Sequence, residues 1–197
     1  MRIHYSEVFY MNKTRKNIFN IVFTGLMTAF LCVMGPLSIP LPGLVPISLT
    51  LFAIYFIVYI IGGVRGTICV VLYLLLGMVG LPVFSGFSGG LGKLSGPTGG
   101  YLIGFIFTAV LCGVALKLGK GKIWVYLIGC VLGCLAAYVF GSLWFMISLG
   151  KSVGATLSAC VIPFLPFDAA KIVVVGLAGP GVKALLRKIP GSQDFLA

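Results

Sequence analysis

ISLTLFAIYFIVYIIGGVRGTICVVLYLLLGMVGL, residues 47–81, is the stretch that decides the fold class. It is almost wholly apolar, and only Gly62, Gly63, Arg65 and Gly66 interrupt it near the middle. A run of this length and polarity must face a solvent that tolerates it, and lipid is that solvent. An arginine held at the centre of a bilayer costs several kcal/mol, so a turn at the glycines is expected there. The expected result is two short antiparallel helices, with Arg65 at the membrane surface.

The rest of the chain reads the same way. Of its 197 residues, 60% are hydrophobic and only 9% are charged, and the mean hydropathy is +1.18. A soluble domain has roughly a quarter of its residues charged. The formal net charge of +11 raises nucleic-acid binding, but the basic residues sit at the ends of apolar segments and do not line one face. That placement argues against a nucleic-acid partner and for cytoplasmic loops of a membrane protein.

Working outward from residues 47–81, a polar, basic tail at 1–17 precedes an apolar run at 18–37. That run is longer than a signal-peptide core and is expected to be a retained span. Beyond residue 81 lies PVFSGFSGGLGKLSGPTGG, which is too rich in glycine for a stable lipid-facing helix and is expected to be a loop. Further spans are expected at 101–116, at 123–149, and from the prolines at 163–166 to the basic exit at Lys183, Arg187 and Lys188. The expectation is therefore an all-α integral membrane protein with six transmembrane helices: a single membrane domain at 18–189 with a C-terminal tail at 190–197. The basic residues of the connections fall mostly on one side, which predicts cytoplasmic N- and C-termini. The glycine-rich loop between helices 3 and 4 is then extracellular.

Asp168 is the single acidic residue between Glu7 and Asp194. An ionisable residue inside the membrane marks a functional site by default. Lys171 follows three positions later, and that spacing on a helix puts both side chains on one face. Pro163 and Pro166 suit a helix start just before the acid. In the glycine-rich segment, glycines allow backbone to approach a ligand closely, while Phe84, Phe87 and Tyr101 can supply apolar walls.

Other chemistries fail on the residues. A phosphate-binding loop would need glycine where Phe87 stands and Ser or Thr where Leu94 stands, so the chain has no visible means of hydrolysing ATP. The six cysteines lie inside apolar segments without a CxxC pair, and read as packing residues; of them, Cys130 and Cys134 alone are helical neighbours. The one histidine, His4, has no partners for a metal site. Neither a metal nor a cofactor is expected. Gly25 and Ala29 form a small-xxx-small pair, which lets another helix pack closely.

GLPVFSGFSGGLGKLSGPTGGYLIGF at residues 80–105, followed by PFLPFDAAKIVV at 163–174, resembles the BioY family, the biotin-specific S components of energy-coupling-factor (ECF) transporters. The resemblance covers nearly the whole chain, and the GPTGGY and FDxxK motifs together are specific. It implies a six-helix fold in a prokaryotic cell membrane, with a biotin pocket built from the loop after the third helix and the outer end of the sixth. Asp168 and Lys171 fall on the FDxxK pair, and Thr98 and Tyr101 lie in GPTGGY. Lys93 is the basic residue available in the preceding loop, while Ser85 and Ser88 stand where an amide side chain would also be accepted. The resemblance also implies partners: a transmembrane coupling subunit and two ATP-binding-cassette ATPases. Gly25 and Ala29 fall where S components carry small residues for docking onto the coupling subunit.

Biotin suits these residues. A carboxylate can accept from its ureido N–H groups, an ammonium can meet its carbonyl or carboxylate, and aromatic walls can cover its bicycle. A membrane enzyme using Asp168 and Lys171 as an acid/base pair is disfavoured by the lack of a second carboxylate, nucleophile or metal set. An autonomous secondary transporter of a small vitamin-like solute is the alternative that proton or sodium flux would reveal.

Overall fold

The computed structural model describes residues 2–40 and 45–188, with side chains from residue 17 onward. The predicted C-terminal tail at 190–197 lies outside the described residues. The described residues form an all-α bundle of eight helices with one small hairpin: α1 (Arg2–Met34), β1 (Ser38–Ile39), β2 (Ile47–Ser48), α2 (Thr50–Ile61), α3 (Gly63–Met78), α4 (Leu91–Ser95), α5 (Gly99–Leu118), α6 (Ile123–Leu149), α7 (Val153–Cys160) and α8 (Leu165–Leu186). The two strands pair antiparallel, Ser38 opposite Ser48 and Ile39 opposite Ile47.

The six-span expectation is corrected. Among the described residues, four helices are long and apolar enough to cross a membrane: Asn17–Met34 within α1, α5, α6 and α8, of 18, 20, 27 and 22 residues. The other two expected spans are α2 and α3, which have 12 and 16 residues. At 1.5 Å per residue they reach about 18 and 24 Å, short of a hydrocarbon layer of about 30 Å. The break between them does fall at Gly62, whose φ of 87° ends α2.

The difference has a physical cause in α2. Ten of its twelve residues are buried, because α1, α3, α5, α6 and α8 all pack against it. A helix that is apolar on every side satisfies either lipid or a protein core, and periodicity does not tell the two apart. Here the surroundings are protein. Arg65, expected at the membrane surface, donates from Nη1 to Asn20 Oδ1 at 3.0 Å and so ties α3 to α1.

The glycine-rich segment is not a free connection. It turns back on itself through paired backbone bonds between Phe84 and Ser88. Gly86 N–H then donates to Pro36 O at 3.1 Å and Gly90 N–H to Gly77 O at 2.7 Å. Trp144 Nε1 of α6 donates to Gly96 O at 2.9 Å. These bonds dock the segment over the end of the bundle where α8 begins.

Candidate ligand site

A cavity opens where the β1–β2 hairpin, the glycine-rich segment and the first turns of α5 and α8 converge. The start of α8 sets the acid at this cavity. Pro166 lies in the first turn of α8, where proline is tolerated because the early N–H groups have no helical partner. Asp168 comes just after it, with its N–H bonded to Phe164 O at 2.9 Å.

Asp168 is 3% exposed and Lys171 is 8% exposed, and both line the cavity. Lys171 Nζ lies 2.7 Å from Asp168 Oδ1. The second carboxylate oxygen accepts from Tyr138 Oη at 2.6 Å, and Cys134 Sγ lies 3.8 Å from it. Two buried charges are tolerated because they meet each other and their remaining valences are partly filled. An ammonium has three donors and an ionised carboxylate has about four acceptor sites, so the pair keeps capacity for a polar ligand.

Of the other residues predicted from the sequence, Lys93, Thr98 and Tyr101 also line this cavity. Tyr101 Oη donates to Cys160 O at 2.9 Å, tying α5 to the end of α7. Its ring rests on Gly141 of α6, where a Cβ would stand 2.4 Å from ring carbons. Lys93 is half-buried, and this burial pushes its ammonium below the usual lysine value.

Phe84 and Phe87 are placed otherwise. Phe84 is fully buried behind the cavity and packs edge-on against Tyr73, with ring centroids 5.4 Å apart. Its ring lies over Gly77, where a Cβ would come within 2.1 Å. It therefore braces Tyr73, which does line the cavity. Phe87 is 68% exposed and has a φ of 55°, and it is not part of the wall. Gly25 and Ala29 are exposed on α1, and a Cβ at Gly25 would meet nothing within 4 Å.

Tyr73 and Tyr138, which line the cavity, and Cys134, which stands beside the acid, were given no site role by the sequence reading. Tyr73 Oη is buried and has no hydrogen-bond partner among the described residues. The signal for the other two was present. Tyr126, Cys130, Cys134 and Tyr138 recur at intervals of four along α6, and all are buried. Such a stripe of polar-capable side chains on a largely apolar span marks the face turned to the bundle interior.

Comparison with known proteins bears on the family and the fold. The chain is 37% identical over 166 residues to the biotin transporter BioY of Thermotoga maritima, covering 84% of this chain and 96% of that protein. It is 34% identical over 154 residues to a probable biotin transporter BioY of Pyrococcus horikoshii, covering 78% and 88%. Its fold matches a crystal structure of the S-component for biotin from an ECF-type ABC transporter with a TM-score of 0.81 at 28% identity, over 93% of this chain and 98% of that one. These relatives make this a prokaryotic multi-pass membrane protein. Residues 10–188 match the model of the BioY family, and the chain belongs to that family.

Proposed function

We propose that this chain captures biotin with high affinity for uptake, as the substrate-binding S component of an ECF-type transporter. It is a transport subunit and not an enzyme. The observation that carries the site is the buried Asp168–Lys171 pair in the cavity wall. It offers both acceptors and donors to a ureido ring in a place where water competes poorly. Tyr138 fixes the carboxylate from the far side. Lys93, Thr98 and Tyr101 face the same space, and Lys93 is the second cation available for the carboxylate of the ligand. Phe84 acts one step back, through Tyr73.

Partners complete the function. The matched S-component comes from an ECF-type ABC transporter, and on that likeness this chain works with a coupling subunit and two ATPases. The exposed Gly25 and Ala29 on α1 form the flat strip on which a partner helix would pack.

Equilibrium binding of radiolabelled biotin to the detergent-solubilised chain tests the ligand. Saturable binding that excess unlabelled biotin displaces is expected, together with no ATP hydrolysis by the isolated chain. A folded chain that does not bind biotin would remove the proposal.

A further inference from the structure

At the end of the bundle away from Asp168, α3 and α5 meet through two bare backbones. A Cβ on Gly63 would lie 2.5 Å from Gly113 Cα, and one on Gly113 would lie 2.4 Å from Gly63 Cα. With no side chains at the crossing, a groove is left on the outer surface. Its walls are aliphatic: Val64 and Ile68 of α3, and Val110 and Val114 of α5, all exposed. The hydroxyl of Thr67, which also lines it, is bonded to Gly63 O at 2.9 Å. Charge enters only at the mouth, where Lys117 and Lys120 stand.

The turn that presents Lys120 is unusual. Gly121 N–H donates to Leu116 O, and Lys120 N–H donates to Lys117 O, both at 3.1 Å. These two bonds make a Schellman ending of α5, with Lys120 at the left-handed position, φ 48°. Glycine is the usual residue there, because a Cβ is strained in that conformation. The chain holds lysine at this point, directly over an apolar groove. Strain kept in this way points to a use for the side chain.

We propose that this groove is a binding site for an anionic phospholipid: an acyl chain lies along Val64, Ile68, Val110 and Val114, and the headgroup phosphate meets Lys117 and Lys120. Basic residues at the mouth of a groove between membrane helices are the arrangement that holds anionic headgroups. The apolar walls exclude free phosphate as the natural occupant, since it would use only the lysines.

Native mass spectrometry of the full chain, released from mixed micelles containing phosphatidylglycerol and phosphatidylcholine of the same acyl length, tests this. Retained phosphatidylglycerol is expected to exceed phosphatidylcholine by about thirtyfold, consistent with two basic contacts. The double change Lys117→Gln, Lys120→Gln should bring the two lipids to near parity, whereas Lys151→Gln with Lys188→Gln, the same loss of charge elsewhere, should keep the preference. Val114→Trp, which fills the groove and leaves both lysines, should also reduce retention. Biotin binding by every variant serves as the check that the bundle is folded. Inorganic phosphate in excess should not displace the lipid. Equal loss in the distant double variant would show general electrostatic attraction, and full retention in the groove variants would show that the lipid sits elsewhere; either result overturns the proposal.

Discussion

Tyr138 Oη of α6 donates to Asp168 Oδ2 of α8 at 2.6 Å, on the oxygen that Lys171 leaves free. The carboxylate is therefore clamped from two directions, by its own helix and by a neighbouring one. Its orientation depends on how α6 and α8 pack as much as on the FDxxK motif.

Tyr138→Phe removes that donor while keeping the ring. A hydrogen bond to a charged group contributes about 1.5–3 kcal/mol, so biotin affinity should fall roughly ten- to a hundredfold. The circular-dichroism spectrum should be unchanged. Isothermal titration with biotin measures the loss, and unchanged affinity would show that Lys171 alone orients the acid.

Asp168→Asn keeps the size but strands Lys171 without its counter-charge, and Lys171→Ala does the reverse. Each should weaken biotin binding by about ten- to a hundredfold, with a further loss from the buried charge left unpaired. Replacing both by neutral residues should leave the fold intact, since the desolvation penalty goes with the charges, and should not restore binding. A folded double variant with the parent's affinity would make the pair structural.

Burial pushes the Lys93 ammonium below the usual lysine value. As pH rises, this lysine loses its charge earlier than an ordinary one. If it meets the carboxylate of biotin, affinity should decline on the alkaline side, beginning below the normal lysine range. Lys93→Arg should move that decline upward, because guanidinium keeps its proton. Binding measured across the alkaline range checks this, with biotin methyl ester as the ligand that should show no such decline.

Gly25→Leu or Ala29→Leu places a large side chain on an open face of α1. Biotin binding by the isolated chain should be unaffected, while co-purification with a coupling subunit from cells should weaken. Equal loss of both properties would assign these residues to the fold.

Gly141→Val acts on the site through packing. Its side chain would displace the ring of Tyr101, which now rests where a Cβ would be, and so break the bond from Tyr101 Oη to Cys160 O. Overpacking of this kind costs about 1–3 kcal/mol. A lower midpoint of thermal unfolding and weaker biotin binding are expected together, and an unchanged midpoint would show that the ring moves without strain.

Taken alone, the sequence determined the membrane class, the break at Gly62, the bounds of α6, the start of α8 near its prolines, and the nearness of Asp168 to Lys171. Each of these rests on local rules: the polarity of the solvent a segment must face, glycine and proline geometry, and i, i+3 spacing on one helix. Only the tertiary structure decided that α2 is apolar because protein encloses it, and that α2 and α3, at 12 and 16 residues, fall short of membrane length, so that the described residues hold four such helices and not six. It alone put Phe84 behind Tyr73, left Phe87 outside, and brought Tyr138 across thirty positions to the acid. A hydrophobicity pattern records that a side chain avoids water. It does not record whether lipid or another helix takes the place of water, and that choice is made only when the helices pack.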